Sequence, residues 1–139
     1  VIDIVLPCLN EAAALPWVLS RIPAGARALV VDNGSTDRSA QVALDSAAIV
    51  VGCRERGYGA ACHAGLVASD ADVVAFCDCD CTIDPMEITR LARLVIDGEA
   101  DLVIGRRVAA RRAGWPVHAR LANLELARRV RHRTGLNVR

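Results

Sequence analysis

Residues 73–85 read VVAFCDCDCTIDP: an apolar run, then aspartate alternating with cysteine, then Asp-Pro. The run reads as a buried strand. Asp84 and Pro85 read as the N-cap and first residue of a helix, so the alternating stretch falls on the exit between strand and helix. Side chains of an extended chain face opposite sides in turn, which sets Cys77, Cys79 and Cys81 on one face and Asp78 and Asp80 on the other. Parallel sulfurs with Cα atoms about 6.5 Å apart oppose both a zinc site and a disulfide between them. The cysteines are therefore expected to pack as small apolar side chains. On the other face two carboxylates repel unless a cation or water separates them, and hard oxygen ligands suit Mg2+ or Mn2+. Two solvated aspartates at a strand end are the other reading of the same spacing.

Comparable Val- and Ile-rich runs occur at 2–6, 28–31, 48–51 and 101–104, and with 72–77 they make five expected strands, each short and nearly continuous, as in a sheet buried on both faces. Segments of helical length lie between them, from about Glu11 to Arg21, Asp37 to Ser46, Gly59 to Ser69 and Pro85 to Asp97. In the last, Ile88, Leu91, Ala92 and Val95 share one face and Gly98 is the stop. Strictly alternating strands and helices predict an α/β fold, a three-layer α/β/α sandwich around a mostly parallel sheet with right-handed crossovers. After Gly105 come a loop, RRVAARRAGWP, and a helix expected from about Val117 to Arg133. The chain ends on TGLNVR with no closing element, which suggests the N-terminal part of a larger protein. The expected organisation is a core over residues 1–105 and a basic loop and helix over 106–139, within a single domain.

The formal net charge of +1 hides an asymmetry: residues 1–105 carry seven arginines against fifteen acids, net −8, and residues 106–139 carry ten arginines against Glu125, net +9. The basic segment suits an anionic membrane surface, or is simply a solvated arginine-rich helix. A nucleic-acid module would use the same arginines, but the acidic body and the scarcity of stacking aromatics oppose it. The six cysteines are expected to be reduced thiols of a cytoplasmic protein, since VIDIVLPCLN has no signal-peptide layout. No apolar run approaches the roughly 18 residues of a membrane span, so membrane contact is expected to be peripheral, at the inner face.

In an open parallel sheet, ligands bind beyond the carboxyl ends of the strands. Those exits read PCLNE, DNGSTD, DCDCTIDP and GRR, three of them acidic. Asp32 and Asn33 sit in a tight turn, either as turn and helix-cap residues or as a carboxylate and amide able to bond a base or ribose. Asn10 and Glu11 admit the same two readings. RGYGAACHAG fails the dinucleotide fingerprint, because Cys62 holds the third glycine position and the motif follows the wrong strand. Its glycines are expected to serve close helix packing or backbone approach to a ligand, and His63 to be a helix-face residue. A phosphate-binding P-loop is absent from the sequence.

Taken in order, VLPCLNEAAALPWVL, VVDNGSTDRSAQVA, RGYGAACHAGLVAS, VVAFCDCDCTIDP and ADLVIGRR resemble the family 2 glycosyltransferases of the GT-A fold, and within them the polyprenyl-phosphate (dolichyl-phosphate) sugar synthases. The resemblance covers residues 1 to about 107, with WPVHARLAN a looser match. It implies a nucleotide-diphospho-sugar donor. Pro7, Asn10, Glu11 and Asp32 fall where the family contacts the nucleotide, with Asn33 beside them where a second Asp is common. Asp78 and Asp80 fall on the D-x-D metal motif, and Thr82 where some relatives supply a further metal ligand. Arg107 and Arg120 match positions that hold the acceptor phosphate in the polyprenyl-phosphate branch. Leu9 stands where an aromatic residue is common.

This implies an inverting transfer in which a bound divalent cation stabilises the charge growing on the diphosphate leaving group. A phosphate acceptor needs little deprotonation, whereas an alcohol acceptor would need a carboxylate base; none stands out in these residues, and the resemblance implies that any base lies further along the chain. A nucleotidyltransferase of related fold is the competing enzyme reading, but PCLNEAA lacks the glycine-rich basic loop it would need.

Overall fold

The computed structural model describes residues 1–105 and 117–135. Four of the five expected runs form strands: β1 (Ile2–Cys8), β2 (Ala26–Asp32), β3 (Ile49–Gly52) and β4 (Val73–Phe76). They make one sheet in the order β3-β2-β1-β4, and every pairing is parallel. Each crossover carries a helix: α1 (Leu15–Ser20), α2 (Ser39–Asp45) and α3 (Tyr58–Ala68), with α4 (Ile88–Ile96) following β4.

The pleat sorts the core into two layers. Ile4, Leu6, Cys8 and Val30 face α1, α2 and α4, packing with Leu15, Val18, Ala43 and Ile88. Val5, Leu29 and Val31 face the other way, onto Ala61 of α3. The result is the expected three-layer sandwich, with α3 covering its face of the described sheet. Gly65 permits that cover, because a Cβ there would lie 2.3 Å from Val5 Cγ1 and 3.0 Å from Val31 Cγ2. The close helix packing expected of the RGYGAACHAG glycines is thus observed at Gly65, and His63 lies exposed on the helix.

Three expectations need correction. Residues 101–104 form no strand among the described residues, and Leu102 and Ile104 are 77% and 82% exposed. An apolar run becomes a strand only when a neighbour supplies its hydrogen bonds. Second, the helix expected from Glu11 starts at Leu15, because Asn10 turns through φ +60° and Glu11 O accepts the N–H groups of Ala14 and Leu15 in a turn. Third, the three cysteines do not share one face. Cys77 and Cys79 are buried in the core, but the chain has already left β4, and Cys81, at φ +62°, is exposed. The period-2 pattern thus survives from Cys77 to Asp80 and ends where the backbone turns.

Asp84 caps the turn Pro85–Glu87 that leads into α4, accepting Met86 N–H at 3.0 Å, and Gly98 at φ +71° closes the helix. At the amino edge of the sheet Asp3 is fully buried, takes a two-pronged ion pair from Arg27 (2.6 and 2.8 Å) and a hydrogen bond from the Ser69 hydroxyl (2.6 Å). Arg27 also binds Asp70.

The chain divides into two units, Val1–Ile104 and Gly105–Arg139. In the second, α5 (Val117–Thr134) forms where a helix was expected, with an Arg129–Glu125 pair at 2.8 Å on its surface. No helix among the described residues is long and apolar enough to cross a membrane.

Candidate functional site

Parallel register brings Cys8, Asp32 and Gly52 side by side at the carboxyl edge. The β4 exit joins them because Cys77 N–H continues the ladder onto Val5 O at 3.1 Å. The loops leaving β1, β2, β3 and β4 therefore meet at one end of the sheet, and they carry most of the residues singled out above.

The β1 and β2 exits are laced together. Asn10 N–H donates to Ser35 Oγ (3.0 Å), and Asn10 Oδ1 accepts Thr36 N–H (2.8 Å) and the Thr36 hydroxyl (3.3 Å). Glu11 N–H donates to Ser39 Oγ (2.9 Å) and Ala12 N–H to Asp37 Oδ2 (3.1 Å). Asp37 Oδ1 also accepts from the Ser39 amide and hydroxyl, and these bonds, the hydroxyl's foremost, hold its carboxyl below the usual range. Asp37 and the fully buried Ser39 are thus supports that the sequence reading did not single out. Their signal was present in DNGSTDRS, where short side chains bond nearby backbone.

Asp32 Oδ1 accepts Ser35 N–H at 3.0 Å and so forms the turn itself. Asn33 is 6% exposed. Its Nδ2 donates to Glu55 O (2.6 Å) and its Oδ1 accepts Gly57 N–H (2.7 Å), so its amide ties the β2 exit to the β3–α3 loop. Pro7 is half-buried on β1, in register with Val31.

On the β4 exit Asp78 is half-buried and Asp80 exposed. Asp80 Oδ1 accepts both the Thr82 N–H (3.0 Å) and the Thr82 hydroxyl (2.6 Å). Asp78 Oδ1 accepts the Tyr58 hydroxyl at 3.1 Å. Below them the interaction between the Cys8 and Cys79 thiols draws Cys8 down and Cys79 up, and burial raises Cys77 to about 11. Cys8, Cys77 and Cys79 are buried, whereas Asp78 is half-buried and Asp80 exposed.

The donor set suits a hard divalent cation: two carboxylates with a hydroxyl beside them. Among the described residues no three His, Cys, Asp or Glu side chains form a protein-only cage. Mg2+- or Mn2+-type binding needs only one or two carboxylates, completed by water and substrate phosphates. Arg107 lies outside the described residues; Arg120 falls on α5, with its side chain outside them. A separate cleft of about 340 Å3, lined by Leu19, Ile22 and Ala48 among others, opens at the opposite edge of the sheet.

Comparison with known proteins agrees with this arrangement. An uncharacterised glycosyltransferase of Mycobacterium tuberculosis is 45% identical over 137 residues, covering 99% of this chain and 62% of that protein. The dolichyl-phosphate hexose transferase of Haloferax volcanii is 34% identical over 97% of this chain and 60% of its own length. A crystal structure of glucosyl-3-phosphoglycerate synthase from M. tuberculosis, in complex with Mn2+, uridine diphosphate and glucosyl-3-phosphoglycerate, superposes with a TM-score of 0.64 at 32% identity. It covers 70% of this chain and 40% of that one. The chain thus spans about six-tenths of the first two relatives. The family model described as glycosyl transferase family 2 matches residues 3–138, and with the sheet, the laced exits and the paired aspartates already in view, the chain belongs to that family.

Proposed function

We propose that this chain binds a nucleotide-diphospho-sugar and serves an inverting transfer of its sugar to a polyprenyl phosphate or another acceptor. The observation that carries the reading is the Asp78–Asp80 pair at the β4 exit, each carboxylate accepting a hydroxyl hydrogen bond. Oriented carboxylates at the carboxyl edge of a parallel sheet are suited to a charged ligand bound there.

Asp78 and Asp80 would hold Mg2+ or Mn2+, with Thr82 beside them. The chemistry such a cation supplies when bound is Lewis-acid stabilisation of the charge on the departing nucleoside diphosphate. The rest falls to the chain's own residues. Thr82 keeps Asp80 in one orientation, and the lacing of Asn10 to the turn after β2 and of Glu11 to Ser39 of α2 keeps the nucleotide-side loop from collapsing. Pro7, Asn10, Glu11 and Asp32 contact the nucleotide, and Asn33 shapes the floor through the loop it holds. A phosphate acceptor arrives ionised and attacks the face of the sugar opposite the leaving group without a general base. Arg107 and Arg120 would meet its charge. The exposed arginines of α5, Arg128, Arg129, Arg131 and Arg133, suit an anionic cytoplasmic membrane face. The named Haloferax relative, a dolichyl-phosphate hexose transferase, supports the lipid-phosphate choice.

The test is calorimetry on the full-length protein with uridine, guanosine, adenosine and cytidine diphosphates, with and without Mn2+. Binding of one of them that requires Mn2+ and is lost in Asp80→Ala is the expected result. A well-folded protein that binds none of them in a metal-dependent way overturns the reading. Incubation with the matching sugar donor and polyprenyl phosphate then tests transfer, and the anomeric configuration of the product tests inversion.

A further inference from the structure

Tyr58 is the first residue of α3, yet it is 61% exposed, so core packing does not account for it. Its hydroxyl instead reaches Asp78 Oδ1 at 3.1 Å, across twenty positions of chain. The backbone before it is specialised for that placement. Gly57 adopts φ +126° and ψ +151°, a region that residues with a side chain rarely enter. In that conformation its N–H meets Asn33 Oδ1 at 2.7 Å, and the helix begins at the next residue. Asn33 is buried and bonded also to Glu55 O, so Tyr58 stands on a loop anchored to the β2 exit.

The arrangement parallels the one at Asp80. There the Thr82 hydroxyl bonds Oδ1 from two residues away, within one turn. At Asp78 the equivalent hydroxyl comes from a different crossover. The two aspartates of the pair are therefore oriented by hydroxyls of unlike origin, one local and one tied to the nucleotide-side turn through Gly57 and Asn33.

We propose that Tyr58 is a positioning residue for the metal motif: its phenol orients the Asp78 carboxylate for the cation that accompanies the donor's diphosphate, and links it to the Asn33 turn. The proposal rests on the glycosyltransferase reading above. Removing one of the bonds that orient the carboxylate should weaken metal-dependent binding and leave metal-free contacts alone. An exposed ring could instead stack on a base, and Tyr58→Phe keeps the ring while removing only the hydroxyl.

The experiment compares full-length wild type, Tyr58→Phe, Asp78→Asn and the double variant by calorimetry, using whichever of the four nucleoside diphosphates the wild type binds. Melting temperature is recorded alongside. Expected are an apparent Mn2+ affinity weaker by roughly three- to tenfold in Tyr58→Phe, the scale of one ordinary net hydrogen bond, a metal-free nucleotide affinity within about twofold of wild type, and an unchanged melting temperature. In the Asp78→Asn background the Tyr58 change should be nearly silent. Equal Mn2+ affinities of wild type and Tyr58→Phe overturn the proposal and leave the glycosyltransferase reading standing. So does an equal loss with and without metal, or a full further loss in the double variant. Absence of any Mn2+-dependent nucleotide binding by the wild type overturns both.

Discussion

Arg21 and Asp84 meet in a two-pronged ion pair, Nε to Oδ1 at 2.8 Å and the second guanidinium nitrogen to Oδ2 at 2.5 Å. Trp17 lies under the guanidinium, 5.4 Å from ring centroid to Cζ. The pair fastens the end of α1 to the start of the helix after β4, so the 77–83 segment is held from its far side as well as by Tyr58.

The first prediction concerns acid. Arg21 foremost, then the Met86 N–H, hold the Asp84 carboxyl below its ordinary value. A carboxyl with a lowered folded-state pKa stabilises the fold above its unfolded pKa of about 3.9, and that contribution is lost as pH falls through the lower folded value. Asp84→Asn should therefore melt below wild type near pH 7, and the gap between the two should close as pH falls below the ordinary carboxylate value. Thermal melts by circular dichroism across that range check it, and a pH-independent gap would contradict the ion-pair account.

Asp3 is the buried anion of the amino edge, and its carboxyl is likewise lowered, chiefly by Arg27. Asp3→Ala leaves the Ser69 hydroxyl and one face of Arg27 without their acceptor and should cost about 3 kcal/mol. Urea denaturation should show an earlier midpoint with an unchanged slope.

Gly65→Ala forces a methyl against Val5 and should destabilise the protein by about 1–3 kcal/mol. Val5→Ala removes the atoms in the way, so the double variant should be more stable than the sum of the two single losses. Additivity in the same denaturation assay would show that α3 does not press on β1 as described.

Thr82→Val keeps the shape and removes the hydroxyl from Asp80. Because Thr82 is exposed, its melting temperature should hold while Mn2+-dependent nucleotide affinity drops about three- to tenfold. Thr82→Ser should restore most of it.

A thiol reagent applied to the folded protein should label exposed Cys81 first, then the half-buried Cys53 and Cys62. Cys8, Cys77 and Cys79 should react only on unfolding. Burial also keeps Cys77 protonated, with its thiol near 11. Mass spectrometry over time reads the order, and early labelling of Cys79 would refute its place in the core.

The sheet was legible in the sequence at the four runs that find a neighbour to pair with, Ile2–Cys8, Ala26–Asp32, Ile49–Gly52 and Val73–Phe76. It was misread at 101–104, where composition alone cannot supply a partner strand. The cysteine alternation read correctly as far as Asp80, then failed because a positive φ at Cys81 is a backbone choice that an L-residue type does not announce. Of the candidate site, Asp78 and Asp80 stood out because paired carboxylates are costly to explain otherwise. Tyr58 did not, since its relation to Asp78 exists only once α3 and β4 bring the chain back to the same edge. Asn33 was read as a ligand contact, and the fold gives its amide a further task, gripping the 53–57 loop.

The cluster of Asp3, Arg27, Ser69 and Asp70 lies where the strands begin, and the laced exits lie where they end. Seven residues of β1 separate the two, about 20 Å of extended chain, beyond the range over which substitutions usually influence one another. Anchorage and the candidate site thus occupy opposite banks of the same strands. A scaffold divided this way can change its loops while its footing stays untouched, and a weakened footing can be repaired without disturbing the laced exits.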